Sequence, residues 1–323
     1  MPELPEVETV RRGANQVTLN REITGGDVLL DRAIAYPFSV AEFLNGISGA
    51  AIAQWHRRGK YLLAELVGNR EQGAGEKTEG QRSRGAEGQR SRGAEEQRGN
   101  YQLPITNYQL PITNSSWLCV HLRMTGQLLW LPRDEPLHKH TRVRLFFTEN
   151  WELRFVDQRT FGQIWWVPPA QVVESVVTGL ATLGPDPFSP DFSVEYFAAK
   201  LRNRRRPIKN ALLDQSIVAG IGNIYADEAL FRAGLRPETL CTNLRSPQIL
   251  RLRTAIVEVL EASINAGGTT FSNFLNVEGI NGNYGGVAWV YNRAGKPCRI
   301  CNTPIQRIRL AGRSAHFCPQ CQL

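Results

Sequence analysis

The chain has 323 residues, 42% of them hydrophobic, and a formal net charge of +8, with a pI near 9.4. That length supplies cores for two or three folded domains, and no run approaches the ~20 apolar residues of a membrane-spanning helix. The start is acidic rather than basic-then-apolar, which argues against a signal or transit peptide and leaves a cytoplasmic protein as the expectation, while the excess of Lys and Arg favours a polyanionic partner.

The opening "MPELPEVET" carries two prolines and three glutamates. It leads into "EVETVRRGANQV", whose spacing predicts a helix. Two readings of this start stay open. Pro2 and Pro5 can rigidify a helix entry whose dipole Glu3, Glu6 and Glu8 complement. Alternatively, removal of the initiator Met leaves Pro2 as a free secondary amine. With a pKa of about 8, such an amine is nucleophilic at neutral pH far more often than a lysine, and Glu3 beside it can move protons.

Next, "KYLLAELV" and "WLCVHLRMTGQLLWL" each read as a β-strand and together as a hairpin interrupted at its tip. Between them, residues 70–114 repeat "EGQRSRGA" and then "NYQLPIT" in tandem. This low-complexity insertion is expected to be a disordered surface loop, with a nucleic-acid-binding tail as the alternative. "TRVRLFF", "WELRFVD" and "GQIWWV" add strands, so residues 1–168 are expected to form a β-sandwich preceded by one helix.

After "LGPDPFSPDFS" the pattern turns helical in "VEYFAAKLRNRR", "IKNALLDQ", "IYADEALFRAG" and "SPQILRLRTAIVEVLEASINAG", with Gly after the last two. A helical unit over 180–276 follows. "NVEGINGNYGG" reads as a mobile loop, neither helix nor strand.

Four of the six cysteines lie in "CRIC" and "CPQC". Cys298, Cys301, Cys318 and Cys321, two residues apart within each pair and sixteen between pairs, match a closed tetrahedral zinc site, with an iron centre or a redox pair as alternatives. A closed shell leaves no position for substrate, so this zinc would be structural. Cys119 and Cys241 read as ordinary thiols. Arg307, Arg309 and Arg313 between the pairs suit phosphate contact on a two-stranded ribbon, or simply a solvated hairpin face. The basic run "KLRNRRRPIK" is open to the same two readings. It precedes "VAGIGNIYADEAL", where glycines at 220 and 222 open a turn and a helix starts near Asn223, a phosphate-binding arrangement.

Taken together, "MPELPEVETVRRG", "RRGKYLL", "HLRMTGQL", "DQRTFG", "LGPDPF", "QSIVAGIGNIYADEALFRAG", "GGTT", "VYNRAGKPCRICNTPI" and "GRSAHFCPQCQ" resemble, in that order, the bacterial formamidopyrimidine-DNA glycosylases. The resemblance covers nearly the whole chain apart from the insertion. It implies a multidomain α+β protein: an N-terminal helix plus β-sandwich, a helix-two-turn-helix domain, a lesion-recognition loop at 277–288 and a C-terminal zinc ribbon at 289–323. It further implies base-excision repair of oxidised purines in double-stranded DNA by a monomer with one structural Zn²⁺ and no obligate protein partner. Pro2 would form the Schiff base, Glu3 act as acid and base, Lys60 serve β-elimination and Arg313 serve δ-elimination. Met124, Arg159 and Phe161 would fill the gap left by the flipped nucleotide. Without the resemblance, Met124 and Phe161 read as core residues. His140, Arg204, Lys209 and Asn223 would grip the DNA backbone.

Two departures stand out: Gln158 and Thr160 replace the Pro and Arg of the family pattern, and the insertion is extra. The rivals are an endonuclease VIII-like enzyme for oxidised pyrimidines and a non-enzymatic zinc-ribbon DNA-binding protein.

Overall fold

The computed structural model describes residues 1–68, 115–269, 275–282 and 284–323. The tandem repeats of 70–114, with the expectations attached to them, lie outside those residues. The first helix, α1 (Leu4–Thr18), starts where Glu3 and Glu6 close a reciprocal capping box and a proline sits in the first turn, satisfying amide groups that a helix start otherwise leaves unpaired. Its buried face spans two hydrophobic cores. Val7, Val10 and Ala14 pack into the sandwich, whereas Leu4 sits among Phe192, Leu212 and Leu230 of the helical half. Leu4 N–H donates to Gly220 O at 3.0 Å. A Cβ on Gly220, whose φ is +94°, would come within 2.6 Å of the Leu4 side chain, so glycine permits that close approach. Truncating Leu4 to Ala would cost about 2–5 kcal/mol at this junction.

The sandwich contains β1 (Ile23–Val28), β2 (Ile34–Tyr36), β3 (Ala51–Arg58), β4 (Tyr61–Val67), β5 (Ser116–His121), β6 (Gly126–Pro132), β7 (Thr141–Phe147), β8 (Trp151–Asp157) and β9 (Gln163–Val167), with α2 (Val40–Ile47) between β2 and β3. One sheet runs β1-β7-β8-β6 and the other β2-β9-β5-β4-β3. All pairs are antiparallel except β2 with β9. The expected hairpin is present as β4 and β5, in register from Tyr61↔His121 to Leu66↔Ser116.

Two sequence expectations change here. "WLCVHLRMTGQLLWL" is not one strand: it breaks at residues 122–125, Arg123 takes φ +51°, and β5 and β6 then join opposite sheets. Both halves are apolar because both face the shared core, so hydrophobicity alone hides the turn. Residues 19–58, for which the sequence suggested no element, supply three strands and a helix capped by Ser39.

The helical half has two short turns, α3 (Val173–Val176) and α4 (Thr178–Ala181), then α5 (Val194–Leu201), α6 (Ile208–Leu212), α7 (Asn223–Ala233) and α8 (Ser246–Asn265). The first predicted helix is shorter than expected: it ends at Leu201, and Pro207 starts the next helix instead. α7 ends on Gly234 in the left-handed region, as the sequence suggested.

"NVEGINGNYGG" also differs from expectation. Asn276 Oδ1 accepts from Glu278 N–H and Ile280 N–H at 3.0 and 2.8 Å, and Tyr284–Val287 forms a helical turn, α9. Val277 is fully buried in the sandwich core, and its carbonyl accepts from Trp130 N–H at 2.7 Å. The described part of this loop is therefore anchored. The C-terminal hairpin pairs β10 (Gln306–Leu310) with β11 (Arg313–Phe317).

Candidate active site and DNA interface

Three chain segments meet where the sandwich abuts the helices. The turn between β3 and β4 carries Gly59 and Lys60, the start of α1 carries Glu3, and the start of α7 offers unpaired amides. Glu3 is buried, and its carboxylate accepts from Ile224 N–H at 3.0 Å and Tyr225 N–H at 3.4 Å. It thus lies on the positive end of α7. A Cβ on Gly222 would fall 2.2 Å from the Glu3 carboxyl carbon, so the glycine predicted to open this turn also makes room for the acid.

Burial pushes the Glu3 pKa up, while Lys60 and the two α7 amides pull it down, and the net shift is upward. Lys60 is buried as well. Its Nζ donates to Ile221 O at 2.9 Å, and desolvation lowers its pKa to about 8, with Glu3 opposing and Arg313 reinforcing the shift. A lysine so placed is neutral far more often than a surface lysine. The half-buried Met1 amino group is lowered by desolvation too, and it senses Glu3, Glu6, Lys60 and Arg159. The amino end of the chain therefore sits among the same groups.

Glu6, which the sequence offered only as a dipole partner, is a hub. Its carboxylate accepts from Glu3 N–H at 2.8 Å, Tyr225 O–H at 2.6 Å and Thr269 N–H at 2.9 Å. Burial first, and the neighbouring Glu3 second, raise its pKa to about 7. The Glu-x-x-Glu spacing of a capping box was the available signal for Glu6. Nothing local marked Tyr225, or Gln215, which braces the turn by bonding both Ile221 O and Gly220 N–H.

Beside this seam opens a cavity of about 740 Å³ whose walls include Pro2, Met124, His140, Gln158, Leu275 and Asn281. Met124, on the cavity wall, is 36% exposed and Phe161 is 53% exposed, which overturns the core reading of both. Arg159 is exposed and its guanidinium lies 4.9 Å from the centre of the Phe161 ring, within cation–π range. A wedge, a planar cation and an aromatic thus project together.

The expected backbone grips fare differently. His140 reaches the cavity, its pKa lowered by desolvation and by Lys139 and Arg142. Asn223 begins α7 and points its amide at Ser314 Oγ, 3.4 Å away. Arg204 closes the end of α5 through Lys200 O at 2.8 Å and lies 3.6 Å from Asp214, away from the cavity wall.

Lys209 requires a correction. Its side chain has no exposure and its Nζ lies 2.6 Å from Asp227 Oδ1 while donating to Ser314 O at 2.5 Å. Asp227 also receives His316 N–H at 2.9 Å. Buried and paired, Lys209 clamps β11 onto α7 instead of standing exposed in the basic run. Arg313 itself is exposed and near enough to depress Lys60 and Lys209.

The four cysteine sulfurs lie within 4.8 Å of one another, with separations of 3.4 Å for Cys301–Cys318 and Cys301–Cys321 and 3.9 Å for Cys298–Cys321. Tetrahedral thiolates about 2.3 Å from a Zn²⁺ would stand about 3.8 Å apart, so the donor set fits one structural zinc. Around it the segment has only a small core of Val290, Ile305 and Phe231, and a bound metal would account for much of its stability. Among the described residues no helix is long and apolar enough to cross a membrane.

Three family descriptions match successive stretches: the N-terminal domain of formamidopyrimidine-DNA glycosylase over residues 1–164, its H2TH domain over 183–274, and a zinc finger found in FPG and IleRS over 295–323. The chain is 66% identical to a formamidopyrimidine-DNA glycosylase of Nostoc punctiforme, covering all of this chain and 96% of that one. It is 57% identical to that of Trichodesmium erythraeum over the full length of both. Among solved structures it resembles a Lactococcus lactis Fpg complex with abasic-site DNA (TM-score 0.79, 30% identity, 99% of each chain). It also resembles Thermus thermophilus MutM (Fpg) (TM-score 0.76, 32% identity, 99% of this chain and 98% of that one).

Proposed function

Because the chain belongs to the formamidopyrimidine-DNA glycosylase family, we propose that it is a bifunctional DNA glycosylase and AP lyase of base-excision repair. Its substrates are 8-oxoguanine and formamidopyrimidines in duplex DNA. It works as a monomer in the bacterial cytoplasm without an obligate protein partner. The observation that carries this reading is the convergence of the amino end, Glu3 and Lys60 in one buried seam opening on the cavity that Pro2 lines.

Once Met1 is removed, the Pro2 nitrogen occupies the desolvated surroundings that lower the Met1 amine, which favours its unprotonated, nucleophilic form. It attacks C1′ of the flipped nucleotide as the glycosidic bond breaks and the base leaves. The C1′–O4′ ring bond then breaks as O4′ takes a proton, and the secondary amine is left as a cationic iminium at C1′ of the opened sugar. That charge acidifies the C2′ proton, whose loss expels the 3′ phosphate, and a second proton loss expels the 5′ phosphate. Glu3, carrying its proton longer than a surface carboxylate, donates and retrieves protons at the sugar. Lys60 and Arg313 stabilise the departing phosphates.

Met124, Arg159 and Phe161 occupy the space vacated in the duplex, and His140, Arg204 and Asn223 hold phosphates, so binding weakens with salt. For Lys209 the burial supports a supporting role instead. A second substrate class has a specific observation in its favour: a solved relative, L. lactis Fpg, is complexed with DNA containing an oxidised pyrimidine.

Borohydride trapping tests the reading. Wild type, Pro2→Gly and an N-terminally extended form are incubated with duplexes carrying 8-oxoguanine opposite cytosine, or an oxidised pyrimidine. A covalent adduct in wild type alone, strongest on the purine, is expected. Adducts favouring the pyrimidine would select the endonuclease VIII-like alternative. No adduct despite duplex binding would leave a zinc-ribbon DNA-binding protein.

A further inference from the structure

We propose that Asp157 is a positioning residue that fixes the wedge, the cation and the aromatic relative to one another, so that they enter the duplex as one unit. The proposal rests on the functional reading above. Asp157 ends β8 and is 1% exposed. Its Oδ1 accepts from Thr125 Oγ1 and from Arg159 N–H at 3.2 Å, and its Oδ2 accepts from Gly162 N–H at 2.7 Å. Thr125 Oγ1 in turn accepts from Arg159 N–H at 3.0 Å.

Thr125 follows Met124 in the turn between the sheets, while Arg159 and Gly162 bracket the loop that carries Phe161. One carboxylate therefore ties the two loops together. Its backbone reaches a third segment: Asp157 N–H donates to His140 O at 2.9 Å, and Arg142 Nε donates to Asp157 O at 2.9 Å while its Nη2 lies 3.1 Å from His140 Nδ1.

Other bonds reach the two loops from their edges: Arg123 Nη2 donates to Gln163 Oε1 at 3.1 Å and Arg32 Nη2 donates to Thr160 Oγ1. Met124, Arg159 and Phe161 are exposed, and Thr160 is held at φ +56°, so no burial of their side chains defines the geometry. A Cβ on Gly162 would lie 2.4 Å from the Phe155 ring and 3.1 Å from Asp157 Oδ2, which explains why a residue without a side chain stands where the loop returns to the carboxylate. Only a carboxylate offers acceptors in both directions. Asparagine has the same shape but would turn an NH₂ toward Gly162 N–H or toward Thr125 and Arg159, breaking one side.

The test compares wild type, Asp157→Asn, Met124→Ala and the double variant on two substrates. Excision of 8-oxoguanine from duplex DNA needs the gap to be filled, whereas borohydride trapping on a single-stranded abasic oligonucleotide does not. Asp157→Asn is expected to slow single-turnover duplex excision by about tenfold to a hundredfold, the scale of a small misplacement of interacting groups. Trapping on the single strand should stay within about twofold, and the double variant should be little worse than the poorer single.

A 2-aminopurine base beside an abasic analogue reports insertion without chemistry, and its fluorescence change on binding should shrink in Asp157→Asn. Equal losses on both substrates, full additivity with Met124→Ala, or an unchanged fluorescence response would overturn the proposal. A wild type that traps nothing yet gives a fluorescence change that Asp157→Asn abolishes would sink the catalytic reading and keep this one. Should Asp157→Asn not fold, Thr125→Val removes the two bonds of Thr125 Oγ1 but leaves the carboxylate its bonds from Arg159 N–H and Gly162 N–H, and it carries the same expectations.

Discussion

The seam between the sandwich and the helices and the rim around the cavity invert the usual rules of burial in opposite ways. At the seam, Glu3, Glu6 and Lys60 are charged groups taken out of water, which ordinary folds avoid unless every charge is matched. At the rim, Met124 and Phe161 are large apolar groups left in water. The seam keeps its charges by bonding them to helix amides and to one another. The rim keeps its apolar groups in place by polar bonds to the backbone beneath them, through Asp157. Each region accepts a stability cost where a substrate would remove it: sugar and phosphates complete the seam, and stacked bases cover the rim. Local breaches of folding rules are where function concentrates.

The sharpest way to break this contrast is at the seam. Glu3→Gln keeps the shape and an acceptor for the α7 amides but loses the proton, so excision should fall by about 10²–10⁴. Thermal stability should hold or rise, because a buried charge has gone. Parallel losses of both would make Glu3 a structural cap.

Zinc removal comes next. Chelation, or Cys298→Ser, should unfold the 289–323 segment and weaken duplex binding by about a hundredfold, roughly 2.7 kcal/mol, while the near-ultraviolet signal of the tryptophan-rich sandwich persists. Loss of the whole fold in one step would contradict the modest core assigned to the segment.

At the rim the expectation reverses that for a core. The pair Met124→Ala and Phe161→Ala should leave stability within about 0.5 kcal/mol yet slow duplex excision about tenfold or more. Destabilisation by several kcal/mol would restore the core reading.

The remaining effect is on pH dependence. Glu6 has a folded-state pKa of about 7 against an ordinary 4.5, so the folded chain holds an extra proton between those values. Its contribution is fully present below the ordinary value and is lost as pH rises through 7. Denaturant unfolding should therefore show stability declining between pH 5 and 7.5, by on the order of 2–3 kcal/mol. Glu6→Gln should flatten that decline, and an unaltered slope would remove Glu6 as its source.

Much of this was legible in the sequence, for reasons that differ by region. The zinc cysteines and the Gly220–Asn223 turn are local patterns whose chemistry is set by spacing. The α7 helix ends on Gly234 and α8 starts on a Ser-Pro pair, both visible in the sequence. What escaped depends on partners far along the chain. Lys209 looks like one cation in a basic run, and only its meeting with Asp227 on another helix turns it into a buried clamp. Glu6 meets Tyr225 and Thr269, and Val277 fills a space beside Gly13, contacts no window of sequence contains. The strand break at Arg123 was hidden because both flanks serve one core.

The central claim is that the amino end, not the buried lysine beside it, is the nucleophile. Lys60, with a pKa of about 8 in the same seam, is the credible competitor. Mass mapping of the borohydride-reduced adduct after trypsin digestion decides between them. The account predicts the sugar mass on the N-terminal peptide beginning at Pro2 and ending at Arg11, with the peptide containing Lys60 unmodified. Sugar mass on Lys60, with an unmodified N-terminal peptide, would contradict it.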